Sequence, residues 1–526
     1  MTAIIETLRK NQMRLIILAI LVVLLLMAIQ GMSTKDWVIT LLRGLSLSAI
    51  TFLVASGFSL IFGLLDVLNL AHGTLFMIGA YVGWTAYVRP DTLLDILAPV
   101  ALLAAGLLLR PLWDALPGIV PSKTVRVWPW VGLILALGMM GWIFARWPVS
   151  TWNLSVPAQV PNSYSLALSQ TMQGNQPRVV PEPAASSGLS PILGLGGMLL
   201  AGAMASACLV GFARQKGATR ISPPGGLSWK ILAIPLALTI IGLGLYLSND
   251  WLTERLFSLN TTWMFLIAIV VALLSGAMLG GLMEITLIRP LYARPIYQLM
   301  ITLGVGVAGI EMVRTIWGRT EFTMPKSEIF RGSGEGCPAT SLAGWLDHHC
   351  STFSVLGGRV RVYNEVFVIL VGLVVLIAVW ILLQRSRLGM IIRAGVQDRE
   401  MVEALGINVQ QVFTLVFALG AALAALGGVI AAPSMGLSPL MGESVLLLAL
   451  IAMAIGGLTS FPGAAAGSLL VGLLQQFIIK YGQIGIKLPF LDKPLKPTPP
   501  LVPASTVLLM VIILLVMPQG LFGRDE

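Results

Sequence analysis

The sequence predicts an all-α integral membrane protein, a polytopic helical bundle with about 12–14 spans that include broken or re-entrant segments. Three observations predict it. Hydrophobic residues make up 57% of the 526 positions and charged residues 11%, against roughly a quarter charged in a soluble domain, so most of the surface faces lipid. Apolar runs approach the roughly 20 residues that a bilayer crossing takes. They lie near 15–30, 44–63, 70–88, 93–109, 129–145, 191–212, 231–247, 263–284, 299–317, 366–383, 411–432, 444–458, 464–480 and 504–517. The loops at 213–230 and 384–410 are dense in positive charge, with Arg214, Lys216, Arg220 and Lys230 in one and Arg385, Arg387, Arg393 and Arg399 in the other. A cytoplasmic N-terminus puts both loops inside, as the positive-inside rule requires.

Taken in order, the run at 15–30 follows Arg9, Lys10 and Arg14 and precedes Gln30-Gly31-Met32. That sequence offers no small-residue cleavage site, so the run reads as an uncleaved span within an extra N-terminal segment, residues 1–43. Two segments fall outside on this topology. Residues 147–190 are rich in Pro, Ser, Gln and Asn and read as a linker. Residues 318–363 hold Cys337, His348, His349 and Cys350, whose spacing does not suit a zinc site, so neither metal nor cofactor is expected. Cys337 and Cys350 form a disulfide if the loop faces an oxidising compartment, and closing about 14 residues would then contribute about 3 kcal/mol; otherwise they are two free thiols. Cys208 lies in an apolar run and reads as a small packing residue.

The net charge of +10 is scattered over short loops, which fits a membrane protein's loop bias and gives no nucleic-acid surface. No His-Glu-x-x-His motif, intramembrane Asp pair or Ser/His/Asp set suggests an enzyme. No Gly-x-x-x-x-Gly-Lys-[Ser/Thr] occurs either, so ATP-driven work would need a separate ATPase chain.

Two stretches interrupt the helical pattern: Gly63 to Gly73, containing Asp66, Asn69 and His72, and Gly456-Gly457 to Pro462-Gly463. Paired breaks in opposite halves point to a substrate path lined by Asn69, His72, Gly73, Gly456, Gly457, Pro462 and Gly463; the alternative is two tight turns at the cytoplasmic surface. Three ionisable groups fall within spans. Glu284 is near enough to the membrane edge to reach toward Arg289, while Glu311 and Arg314 share a helix face and neutralise each other or relay protons. The stretch from Gln384 to Ile407 is amphipathic and too polar to cross, with Ile391, Ile392, Val396, Val402 and Leu405 available as one apolar stripe. It predicts a short helix on the cytoplasmic surface that anchors a loop or enters a groove on a partner.

Five motifs carry a family resemblance. They are Gly57-Phe-Ser-Leu-Ile-Phe-Gly63 through Leu68-Asn69-Leu-Ala-His72-Gly73 and Gly79-Ala-Tyr81; Ile288-Arg289-Pro290-Leu-Tyr292; Arg387-Leu-Gly389 through Ala404-Leu-Gly406-Ile407; Gly456-Gly457 through Pro462-Gly463-Ala464; and Val516-Met517-Pro518-Gln-Gly520-Leu-Phe-Gly523-Arg524. On these, residues 44–88 and 262–526 resemble the inner-membrane permease subunits of bacterial branched-chain amino acid ABC importers, a family that also contains urea and short-chain amide permeases. The resemblance implies one pore-forming half of an importer, served by a second permease, two cytoplasmic ATPase subunits and a periplasmic solute-binding protein. It implies that residues 384–410 are the loop that docks the ATPase, with Arg387, Gly389, Arg393, Glu403, Ala404 and Gly406 as its contacts. Residues 1–43 and 89–261 have no counterpart in the family's typical core. The inserted block holds four candidate spans, an even number, so it rejoins the core on the side it left. An ion-coupled secondary transporter explains the spans and breaks equally well, but does not need the amphipathic elbow.

Overall fold

The computed structural model describes residues 23, 32–115, 127–147, 190–215, 229–292, 294–319, 321, 323–397, 399–486, 494 and 496–523. The expected span at 15–30 and nearly all of the 147–190 linker lie outside these. Two compact units result, residues 1–84 with 261–526, and residues 85–260.

The first unit opens with α1, Thr34–Leu65, whose Ser33 side chain accepts from Asp36 N at the N-cap. After α2, His72–Val88, the chain enters the second unit and returns at α9, Thr261–Met283, which continues through a π-helical turn at Glu284–Ile288 and a 3-10 turn at Arg289–Leu291. Then come α10, Pro295–Trp317; α11, Leu342–His348; a hairpin of β1, Thr352–Val355, and β2, Gly358–Arg361; and α12, Val368–Arg385. Two short helices follow, α13 at Arg387–Gln397 and α14 at Arg399–Ala404. Four more complete the unit: α15, Val409–Met435; α16, Met441–Gly456; α17, Phe461–Ile484; and α18, Leu501–Val516.

Helices α1 and α15 are the most enclosed, and α2, α9, α12, α16 and α17 pack around them. In lipid no water is displaced when helices meet, so association depends on close backbone approach. Gly57 of α1 faces the carbonyl of Gly420 on α15, and Gly276 and Gly280 of α9 face Ala421 and Ala425 of α15. Charges fasten the end opposite the α13–α14 elbow: Lys480 Nζ lies 2.6 Å from Asp36 Oδ1, and Glu365 receives Arg43 Nε at 2.9 Å and the Arg361 amide at 2.7 Å. The hairpin pairs Thr352 with Arg361, and Cys337 and Cys350 beside it are disulfide-bonded, with Cα atoms 5.6 Å apart.

The second unit consists of α3, Pro90–Leu107; α4, Arg110–Ala115; α5, Trp128–Arg146; α6, Pro191–Gln215; α7, Trp229–Leu247; and α8, Asn249–Ser258. Its core gathers Ala98, Leu102, Ile143, Trp147, Leu195 and Met198. Arg89 and Asp91 form a buried ion pair at 2.7 Å, a pairing sequence reading missed. Cys208 is buried and free.

Among the described residues nine helices are long and apolar enough to cross a membrane, or ten if the pair Leu232–Leu247 and Asn249–Ser258, bent by 68°, counts as one broken span. Together with the shorter apolar helices α16 and α18, they make this a polytopic all-α membrane protein. Four of these candidates fall within the second unit: Pro90–Trp113, Trp128–Arg146, Pro191–Phe212 and the bent pair.

Candidate functional site

The first break starts where α1 ends. Asp66, exposed, takes a left-handed conformation (φ 53°) that aspartate tolerates better than most residues. The chain then turns back into the bundle. Asn69 Oδ1 accepts from Ala71 N at 3.1 Å, and its carbonyl accepts from His72 N at 3.1 Å, which starts α2. His72 lies edge-on to Phe58, ring centroids 5.6 Å apart, with Nε2 3.2 Å from Val54 O. A Cβ on Gly57 would touch His72; Gly57 precedes Leu65 by eight residues, about 12 Å of helix, so α2 begins well inside the bundle. Helix α10 secures the turn through Thr302 Oγ1, which accepts from Leu70 N, and through Gly306 O, which accepts from Thr74 Oγ1. Asn69 and His72 are fully buried, yet Asn69 Nδ2 and His72 Nδ1 have no hydrogen-bond partner among the described residues. Gly73 meets the carbonyl of Gly442, at the start of α16, with no room for a Cβ.

The second break is a turn at the elbow end. Helix α16 stops at Gly456, Gly457 takes φ 110°, and Ser460 caps α17 by accepting from Gly463 N at 3.1 Å. Gly456 and Gly463 face each other with no space for a side chain; Pro462 is exposed. The carbonyls of Ile455 and Gly456 accept from Leu521 N and Phe522 N, both at 2.9 Å. The C-terminal motif Met517–Gly523 therefore caps α16, a role sequence reading did not assign. The signal was Gly520, which takes φ 79° two residues after Pro518.

The elbow adjoins this second break. Ser386 Oγ accepts from Gly389 N at 2.9 Å, and Gly389 sits against the carbonyls of Leu382 and Leu383, which fixes the angle at which α13 leaves α12. Ile392 and Val402 are buried with Leu60 and Leu64 of α1 and Val409, Phe413 and Val416 of α15. Ile391 is half-buried. Leu405 departs from the expected stripe: it is 72% exposed, because α14 ends at Ala404 and Gly406 (φ 80°) redirects the chain. The side chain of Val396 lies outside the described residues. Arg387, Arg393, Glu403, Ala404 and Gly406 are all exposed, beside exposed Met390 and Met401; Arg393 donates to Gln384 at 2.6 Å. A cavity of about 250 Å³ lies between this elbow (Ile392, Arg393), α1 (Ser59, Gly63), the second break (Thr459, Pro462) and Phe522. The structure thus joins the second break to the elbow, whereas Asn69, His72 and Gly73 stand apart, deeper in the bundle.

The intramembrane charges divide in two. Glu284 does meet Arg289, at 2.9 Å, but is fully buried, and also accepts from Tyr292 Oη at 2.5 Å and Thr414 Oγ1 at 2.6 Å. Its helix runs into a π turn that aims it at α15, so the carboxylate finds protein partners before it finds water. Tyr292 and Leu65 pack both on the elbow cluster and on the cluster under the first break (Ile61, Val67, Ala71, Ile288). Glu311 and Arg314 pair at 2.5 Å on an exposed face of α10. Sequence reading missed Glu443, a carboxylate in the first turn of α16; the signal was a single acid heading the apolar run Met441–Gly456.

Comparison with known proteins decides what these features belong to. Residues 40–119 and 191–517 match the family described as branched-chain amino acid transport system / permease component. The chain belongs to this family. The match reaches further into 89–261 than the five motifs do. Over 274 residues the chain is 27% identical to the high-affinity branched-chain amino acid transport system permease protein LivH of Escherichia coli, covering 52% of this chain and 79% of LivH. It is 29% identical to BraD, the corresponding permease protein of Pseudomonas aeruginosa, over 33% of this chain and 52% of BraD. A more distant similarity, 26% identity over 43% of this chain and 57% of the relative, links it to the fructose import permease protein FruF of Bifidobacterium longum. No solved structure matches. This family is one of transport permeases, and the breaks, elbow and buried charges described above are the features of this member.

Proposed function

We propose that this chain is one of two permease subunits of an ATP-binding-cassette importer that carries branched-chain amino acids across the cytoplasmic (inner) membrane. Separate ATPase subunits drive it, and a periplasmic solute-binding protein delivers the substrate. The observation that carries the reading is the two-sided elbow. Its inner face, Ile392 and Val402, is embedded between α1 and α15, while its outer face presents Met390, Met401 and Leu405 among Arg387, Arg393 and Glu403. A helix held rigidly on one side and exposed on the other transmits a partner's movement into the bundle. An ion-coupled carrier has no use for such a surface. The disulfide and hairpin then face the periplasm, where an oxidising environment keeps Cys337 and Cys350 bonded.

In this reading, Tyr292 and Leu65 carry motion from the elbow to the first break, where Asn69, His72 and Gly73 border the route. The buried polar atoms of Asn69 and His72 suit a path that passes a polar cargo. The route forms between this chain and a second permease, a heterodimer in preference to a homodimer. The test is uptake into proteoliposomes holding the assembled subunits. ATP-dependent accumulation of labelled leucine, competed by valine and isoleucine but not by urea, acetamide or fructose, is expected. Accumulation driven by an ion gradient without ATPase subunits overturns the ABC assignment, and competition by urea or amide alone overturns the substrate.

A further inference from the structure

Glu443 differs from the other carboxylates of this unit's spans. Glu284 and Glu311 are each matched by an arginine, whereas the Glu443 carboxylate forms no hydrogen bond or ion pair among the described residues. It stands beside the first break: its neighbour Gly442 presses on Gly73, adjoining His72, which packs beside Gly57 about 12 Å along α1 from the elbow end. The Glu443 side chain is exposed, so its carboxylate is open to a counter-charge that comes and goes.

Glu443 also lines a groove of about 270 Å³ between α10 and α16, with Gly73 and Thr74 of the first break at its base. The walls are aliphatic: Leu303, Val307 and Ile310 from α10, Leu446 and Leu450 from α16. This volume is slightly below the roughly 300 Å³ at which small-molecule clefts begin, the scale of a single amino acid. The first turns of α2 and α16 meet there, and helix N-termini favour an anionic group. One carboxylate, one pair of helix N-termini and branched aliphatic walls match the three parts of an aliphatic α-amino acid: ammonium, carboxylate and side chain.

We propose that the α10–α16 groove is a subsite that holds an aliphatic α-amino acid in transit, its ammonium on Glu443 and its side chain between Leu303, Val307, Leu446 and Leu450. This rests on the reading of the chain as an amino acid permease.

The experiment uses the complete importer in proteoliposomes, with Cys208→Ser in this chain and cysteine introduced as Leu447→Cys at the exposed edge of the groove. Modification by a cationic methanethiosulfonate is expected to run about tenfold faster than by an anionic one, a preference abolished by Glu443→Gln and a reaction slowed by leucine. Glu443→Gln alone is expected to cut leucine uptake about tenfold or more. Glu443→Asp restores part of the uptake. Equal rates with the two reagents, or wild-type uptake by Glu443→Gln, overturn the subsite. A wild-type importer that takes up no leucine overturns the functional reading; in that case a charge preference at Leu447→Cys that depends on Glu443 still supports a cation subsite, and its absence overturns it.

Discussion

Arg289 and Glu284 close on each other at 2.9 Å with unequal burial, the carboxylate wholly enclosed and the guanidinium about 30% exposed. The pair is shared with α15, because Thr414 contacts both partners at 2.6 Å. Removing the cation strands a buried charge, whereas removing the anion leaves a guanidinium that water can reach. Arg289→Ala is therefore expected to destabilise the folded protein by about 3–5 kcal/mol and Glu284→Gln by distinctly less. Thermal unfolding of the purified variants in detergent checks the order, and equal losses would refute the asymmetry.

At the elbow, exposed charges stand beside exposed apolar side chains. The double reversal Arg393→Glu with Glu403→Arg is expected to lower substrate-stimulated ATP hydrolysis by about tenfold or more while insertion and yield remain normal, since both side chains are exposed. Retained coupling in this variant would remove residues 387–406 from the docking site.

Gly73 and Gly442 meet backbone to backbone. Gly73→Ala forces α2 away from α16 and is expected to cost about 1–3 kcal/mol, the range for overpacking a close contact. Gly138 on α5 provides the control, since a Cβ there meets nothing within 4 Å. Gly138→Ala is expected to be neutral or stabilising by up to about 1 kcal/mol, from helix propensity. Unfolding midpoints of the two variants decide it.

Residues 85–260 form a compact unit with its own core, while the five motifs lie outside it. Replacing residues 90–260 with a flexible polar linker is expected to preserve assembly with the ATPase and part of the transport, because the five motifs lie outside the block and apolar surface that meets lipid carries little hydrophobic penalty. A deleted protein that inserts, as judged by a reporter fused after Gly523, but neither couples nor transports would place the block in the working core.

The sequence by itself determined the solvent and the class. An apolar run of spanning length needs no tertiary information, because lipid selects on local composition, and spacing alone placed Glu311 and Arg314 on one helix face. The elbow was legible for the same reason: charges at that density cannot cross, so Ile392 and Val402 had to turn inward. Tertiary structure decided everything that depends on depth and on contacts remote in sequence. The two breaks read alike as Gly-rich interruptions, yet one folds back until His72 reaches Gly57, while the other is a turn capped by Leu521 and Phe522, about sixty residues further along the chain. Leu405 fits the stripe by period but is exposed, because the helix ends first. Glu443 and Glu284 are both lone acids in apolar runs. Glu284 draws Arg289 and Tyr292 from its own segment and gains Thr414 only because α9 packs on α15, and only the meeting of α2 with α16 leaves exposed Glu443 beside an aliphatic groove, since distant partners come from whichever helices the fold brings alongside.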